Sequence, residues 1–281
     1  MEIVIPNRLS ILGHPQRLAL FRLLMRRYPD RVPATELARA LDLRPNTLST
    51  YVSALMQAGL VTQERAGTSL RYAIHMDAAR ETFDYLLRDC CRGRPDICSP
   101  LTSFDLYGDG PMTDRKYHVL FICTGNSARS IFAESILRKE AGDRFVAYSA
   151  GTRARSELNP FALEVLRQKG HDVSVLEAKN LSVFQGDDAP AFDFVFTVCN
   201  QAANEDCPAW SGQPVSAHWG MPDPVKVEGS AAEKSLAFHQ AYGALLNRIK
   251  VFTALPIASL DRIALQKAVD DIAQTEEGAS A

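Results

Sequence analysis

The chain has 281 residues, 46% of them apolar and 23% charged, with a net charge of −2, which suits two domains, each burying a core of its own. No run approaches the roughly 18 apolar residues of a membrane span, and "MEIVIPNRLSILGHPQ" lacks the basic start and apolar stretch of a secretory leader, so a cytoplasmic protein without a membrane partner, its six cysteines reduced, is expected. Residues 1–100 hold 14 Arg, no Lys and 10 acids, a balance of +4, against 17 bases and 23 acids (−6) in the rest, and a basic amino-terminal part suits an anionic partner such as DNA.

Helical periodicity dominates the first hundred residues. "PQRLALFRLLMRR" places Leu18, Phe21, Leu24 and Met25 on one face, with Pro15 at the helix start. "ATELARALDL" predicts a short helix carrying Leu37, Ala38 and Leu41. After the bend "DLRP", "PNTLSTYVSALMQAG" turns Leu48, Val52 and Leu55 inward, and Gly59 ends the helix. Its other face shows Asn46, Thr47, Ser49, Thr50 and Ser53, short polar groups able to reach base edges and phosphates. "LVTQERAGTSLRYAIH" alternates about Ala66-Gly67 as a two-stranded ribbon, with Arg65 and Arg71 flanking its tip. "DAARETFDYLLRDCC" predicts a further amphipathic helix. Helix, turn, helix and ribbon make a winged helix-turn-helix, mainly α with a β-wing.

Three thiols follow. Cys90 and Cys91 end the last helix, Gly93 and Pro95 turn the chain, and Cys98 can fold back. Three thiolates without a fourth ligand suit a soft three-coordinate thiophile better than structural zinc. "SPLTSFDLYGDGPMTDRK", residues 99–116, loses periodicity and gathers Pro, Gly, Ser and Asp, which predicts a linker.

Beyond it the pattern changes. "KYHVLFIC" reads as a buried parallel strand ending at Cys123, and "SIFAESILRKE" as the helix after it. Between them, the backbone N–H groups of Thr124, Gly125, Asn126, Ser127, Ala128, Arg129 and Ser130 can converge on a tetrahedral anion at a helix N-terminus. Arg129 can grip two of the anion's oxygens. The same field is expected to lower the Cys123 pKa and make it a nucleophile. Alternating strands and helices predict an α/β doubly wound parallel sheet with this loop at a strand's carboxyl end. The domains are then expected at 1–98, with linker 99–116, at 117–255, and as a C-terminal helix and tail at 256–281. Of the remaining candidates, His118, His171, His218 and His239 read as packing or surface groups and Trp219 as core. "LPIASLDRIALQKAVDDIA" predicts an amphipathic helix with Leu260, Ile263, Ala264 and Leu265 apolar.

Residues 8–90, through "LGHPQRLALFRLL", "ATELARALDLRPNTLSTYVSALMQAGLV" and "RAGTSLRYAI", resemble the ArsR family of metalloid- and metal-responsive repressors. The resemblance implies a homodimer on palindromic operator DNA, with the helix from Pro45 in the major groove. It also implies arsenite as effector at Cys90, Cys91 and Cys98. Thr50-Tyr51 stand where the family often has His, so the operator sequence does not carry over.

Residues 116–255 resemble the low-molecular-weight phosphotyrosine phosphatase superfamily, and within it the thioredoxin-type arsenate reductases. "FICTGNSARS", "VAYSAGT", "NPFALEVLRQKG", "FDFVFTVCNQAANEDCP" and "AHWGMPDP" carry the likeness. It implies Asp223 as general acid, Asn126 and Ser149 as residues that shape the anion loop, and Cys199 and Cys207 as relay thiols. Arsenate is then the substrate, and a thioredoxin-like donor rather than a bound cofactor supplies the electrons. Asp223-Pro224 is followed by Val225-Lys226, without the aromatic pair of many tyrosine phosphatases. Three readings stand: a fused arsenite-responsive repressor and arsenate reductase, a phosphatase under DNA-binding control, and an oxyanion-binding regulator without turnover.

Overall fold

The computed structural model describes residues 4–92, 115–186, 188–205, 210 and 213–274. The chain divides into two units, Met1–Gly110 and Pro111–Ala281. Among the described residues no helix is long and apolar enough to cross a membrane.

The first unit is a winged helix-turn-helix. Helices α1 (Val4–Leu12), α2 (Pro15–Arg26), α3 (Ala34–Ala40), α4 (Pro45–Gln57) and α5 (Met76–Tyr85) surround a small antiparallel sheet. Its strands are β1 (Val32–Pro33), β2 (Val61–Ala66) and β3 (Ser69–Ile74), in the order β1-β3-β2. Sequence periodicity gave no sign of α1 or of the two-residue β1. Helix α2 begins at Pro15, with the His14 side chain accepting from Gln16 N–H. Its buried stripe is Leu20, Phe21, Leu23 and Leu24, and Leu18 is exposed. The helix carries two overlapping apolar stripes, and contacts across the core select the one containing Leu20. Helix α4 buries Leu48, Val52 and Leu55 as expected. Gly59 then takes φ +73°, the left-handed cap that a Cβ would oppose. Arg8 is buried and ties α1 to the rest, donating to the Ala58 and Ala78 carbonyls and pairing with Glu81 at 2.7 Å.

The second unit holds a four-stranded parallel sheet of β4 (Tyr117–Cys123), β5 (Phe145–Gly151), β6 (Phe194–Thr197) and β7 (Val215–His218). The order is β5-β4-β6-β7. Helices α6 (Arg129–Ala141), α7 (Pro160–Gln168), α8 (Asn200–Asn204), α9 (Ala231–Ala254) and α10 (Arg262–Ile272) complete it. The chain leaves β4 for β5 on one side and later reaches β6 on the other. The carboxyl end of β4 is therefore the topological switch point, where such sheets bind ligands. β4 is buried from Val119 to Cys123, as a strand covered on both faces must be. Helix α6 is buried all round its first turns, Glu134 and Ser135 included, so its polar groups need internal partners. Trp219 is fully buried, stacked on Phe196 at 4.0 Å, with its indole N–H donating to the Val269 carbonyl.

That bond anchors α10, which packs into this core through Leu265, Val269 and Ile272. Ile263, expected on the apolar face, points to solvent, because Leu265, Val269 and Ile272 form the one stripe that meets the domain.

Candidate functional site

β4 delivers Cys123 to the switch point, and the next five residues wrap its sulfur before α6 begins at Arg129. Asn126 N–H donates to Cys123 Sγ at 3.1 Å, and Ser130 Oγ lies 3.0 Å from the same sulfur. Asn126 takes φ +44°, a left-handed conformation costly for most residues. Its side chain offsets that cost. Nδ2 donates to Ser130 Oγ and to Ser149 Oγ, each at 2.8 Å, and Oδ1 accepts from Lys179 N–H at 2.6 Å. Ser149 Oγ in turn donates to Glu134 Oε2 at 2.5 Å. Glu134 pairs with Arg138, and its carboxylate lies 3.8 Å from the Lys179 ammonium.

This chain of bonds has a direction. A carboxylate can only accept, so Ser149 donates to Glu134 and must accept from Asn126. The second proton of the Asn126 amide goes to Ser130. The single Ser130 hydroxyl proton is thereby left for Cys123.

Cys123 is only 3% exposed. Burial pushes its thiol above the ordinary value and nearby Cys199 adds to the rise, against the pull of Ser130 and Arg129. The sequence predicted a lowered value; the structure gives the opposite direction. Arg129 pairs with Asp223 at 2.7 Å and donates to the Met221 carbonyl at 3.2 Å. Asp223 sits between Pro222 and Pro224 and caps the short turn Pro224–Lys226 by accepting from Val225 N–H. A cavity of about 210 Å³ opens here, lined by Cys123, Arg129 and Asp223 and by Arg153, Arg155 and Lys226 at its mouth.

Cys199 follows β6 and caps α8, its sulfur accepting from Ala202 N–H at 3.4 Å. It is buried, and Sγ lies 3.3 Å from Thr124 Oγ1. The fold thus brings the two thiols, 76 positions apart in the chain, to neighbouring residues of one loop. His218 supports this arrangement from below: it is buried, 2.7 Å from Thr197 Oγ1 and 3.2 Å from Asn200 Oδ1. Cys207 lies outside the described residues.

Gly151, at the end of β5, explains how loop and strand fit. A Cβ there would stand 2.7 Å from the Thr124 carbonyl oxygen. Of the other histidines, His171 is buried between Ser135 Oγ (3.0 Å) and Tyr242 OH (2.8 Å), and burial, with Lys139 nearby, lowers its pKa. His118 contacts Tyr148, and His239 is half-buried on α9. Sequence reasoning missed Glu134, Lys179, Arg153, Arg155 and Lys226. Only "GTRARS", a basic pair directly after a strand, offered a signal.

In the first unit, Asn46, Ser49, Thr50 and Ser53 are exposed along α4, and Thr47 is half-buried. Thr50 Oγ1 donates back to the Asn46 carbonyl at 3.1 Å. Arg65 and Arg71 are both exposed on the wing. Arg65 pairs across the ribbon with Leu70, and Arg71 with Glu64. Adjacent strand residues face opposite ways, so the register sets the two arginines on opposite faces. Past α5 the helix widens into a π turn, Leu86–Cys90, which leaves Cys90 exposed and Cys91 half-buried. Both thiols are free; Cys98 lies outside the described residues.

Residues 118–263 match the model of the low molecular weight phosphotyrosine protein phosphatase family, and residues 12–64 that of a helix-turn-helix domain. An arsenate reductase of Bacillus licheniformis is 37% identical over 137 residues, 49% of this chain and 95% of its own length. One of Bacillus subtilis is 34% identical over 134 residues, 48% of this chain and 93% of its own. Among solved structures, a thioredoxin-dependent arsenate reductase of Corynebacterium glutamicum aligns at 23% identity with a TM-score of 0.36, covering 77% of this chain and 94% of its own; a likeness of that degree bears no weight.

Proposed function

The chain belongs to the low molecular weight phosphotyrosine protein phosphatase family, and on that premise we propose that it is an arsenate reductase fused to an arsenite-responsive repressor. The observation that carries the reductase reading is the Cys199 sulfur, 3.3 Å from Thr124 Oγ1 beside Cys123. Hydrolysis needs one thiol; transferring two electrons needs more.

The oxyanion enters the cradle and takes the Arg129 fork, which releases Asp223 from its ion pair to serve as general acid. Cys123 attacks the pentavalent arsenic as thiolate. An arsenic–sulfur bond forms, and an arsenate oxygen leaves as water with the proton from Asp223. Cys199 then attacks the Cys123 sulfur. A sulfur–sulfur bond forms, the sulfur–arsenic bond breaks, and its electron pair stays on arsenic, which departs as arsenite. Cys207 attacks Cys199, releases Cys123 as thiolate and leaves a Cys199–Cys207 disulfide. A thioredoxin-like dithiol reduces that bond.

In the first unit, α4 enters the major groove of operator DNA, with Asn46, Thr47, Ser49, Thr50 and Ser53 toward the bases and phosphates and the wing arginines on the flanking backbone. Val4 on α1 and Phe83 and Tyr85 on α5 are exposed apolar residues, which supports pairing of two copies through these helices. Arsenite bound by Cys90, Cys91 and Cys98 disfavours the DNA-bound dimer. A tenfold release corresponds to about 1.4 kcal/mol of difference between the two states.

The test is steady arsenite release by the purified chain with a thioredoxin system, abolished in Cys199→Ser. Efficient hydrolysis of p-nitrophenyl phosphate that survives this substitution, without arsenite release, would establish the phosphatase reading. For the repressor, arsenite should free operator DNA from the wild type and not from the Cys90→Ser/Cys91→Ser double variant.

A further inference from the structure

The segment after β5 is stitched to the anion cradle almost residue by residue. Thr152 N–H donates to the Cys123 carbonyl at 3.0 Å, Arg153 N–H to Thr124 at 2.9 Å, Arg155 N–H to Gly125 at 2.9 Å and Asn159 N–H to Ser127 at 3.0 Å. These four bonds fix where the side chains of Arg153 and Arg155 emerge, at the mouth of the 210 Å³ cavity. The Arg155 stem crosses Gly125, its Cγ and Nε 3.6 Å from where a Cβ would stand. Lys226, three residues past Asp223, lines the same cavity and is exposed. The described part of this mouth contains no aromatic side chain.

Among the described residues, an acid outside the cavity lining opposes one of the outer cations. Glu205, at the end of α8, pairs with Arg153 at 3.3 Å. The Arg153 side chain is 72% exposed, so the pair is of the weak, exchangeable kind. A tetrahedral oxyanion offers the guanidinium two oxygens in its own plane and competes well against one loosely held carboxylate.

We propose that Arg153, Arg155 and Lys226 form a collar that selects a free inorganic oxyanion over a phosphate ester bearing an apolar group, and that Glu205 sets the collar's strength by competing for Arg153. This rests on the oxyanion reading of the cradle. It adds the residues that determine substrate class, and it separates them from Cys123 and Arg129, which act on the reacting centre. Cations converging on a cleft also raise the encounter rate with an anion, an effect that salt removes.

The test reads binding without turnover: protection of Cys123 from iodoacetamide by inorganic phosphate, followed at the Cys123 peptide by mass spectrometry. Arg153→Gln/Arg155→Gln should weaken protection about tenfold at low salt and flatten its salt dependence. Glu205→Gln should strengthen protection about threefold, a gain that a misfolded variant cannot give. Adding Glu205→Gln to Arg153→Gln should bring no further gain, because the competitor acts only through that arginine. An unchanged protection constant and salt slope in the double arginine variant would overturn the collar. So would an undiminished Glu205→Gln gain in the absence of Arg153. Failure of the wild type to reduce arsenate would sink the reductase reading alone, since phosphate protection would still report on the collar.

Discussion

Ser130→Ala removes one oxygen from the protein and tests the directed hydrogen-bond chain behind Cys123. The Ser130 hydroxyl lies 3.0 Å from Cys123 Sγ, and its oxygen already accepts from Asn126. Its proton is therefore committed to the sulfur, where it favours the thiolate. A hydrogen bond to a charged group contributes about 1.5–3 kcal/mol, and 1.36 kcal/mol corresponds to one pKa unit, so the Cys123 pKa should rise by about one to two units in the variant. Burial already holds this thiol above its ordinary value. Losing the Ser130 proton therefore adds to that rise and lowers the share of reactive thiolate further. The assay is the pH dependence of iodoacetamide modification at Cys123, resolved by peptide mass spectrometry so that the other thiols do not interfere. A 10- to 100-fold lower rate at pH 7, with both variants converging at high pH, is expected. An unshifted profile would show that the Ser130 proton points elsewhere and that the ordering imposed by Glu134 does not reach the sulfur.

Gly151→Ala should abolish oxyanion protection of Cys123 while leaving a folded domain, because the new methyl would press on the Thr124 carbonyl at 2.7 Å; phosphate protection together with circular dichroism checks both halves. Asp270 is half-buried on α10, and burial raises its pKa to about 7. A raised carboxyl pKa means that the folded state holds the proton more tightly, so this group favours folding at acidic pH and opposes it as pH climbs through about 7. Asp270→Asn should therefore stabilise the protein at pH 8 by about 1 kcal/mol after allowance for solvent screening, with the gain fading as pH falls below about 7 and gone below the ordinary carboxyl pKa of 3.8; denaturant titrations at pH 8 and at about pH 3.5 measure it. Arg27 is buried against Asp30 and Glu36. Arg27→Met removes a buried guanidinium that pairs with both carboxylates and should cost about 3 kcal/mol in the amino-terminal unit, read as a lower denaturant midpoint. Arg65→Gln and Arg71→Gln should weaken operator binding unequally, because the ribbon register faces them apart; equal losses in a gel-shift titration would refute that placement.

The residues themselves determined the architecture and the place of Cys123 in it. Leu48, Val52 and Leu55 can face a core only on a helix of the period seen, and an apolar strand running into Cys123 and then a helix can only place that sulfur at a helix start. Such patterns are local, set by 3.6-residue and two-residue repeats within a few turns of chain. Tertiary structure decided whatever depends on residues far apart in sequence. It chose the Leu20 stripe of α2 over the one with Leu18, and it buried α10 through Val269 and Ile272 rather than Ile263. It also set the direction of the Cys123 pKa, because burial and the approach of Cys199, 76 positions away, are not written in the eight residues of the loop. The cationic mouth belongs to this second class. Arg153, Arg155 and Lys226 meet only because parallel strands end side by side, and that adjacency is a property of the folded sheet.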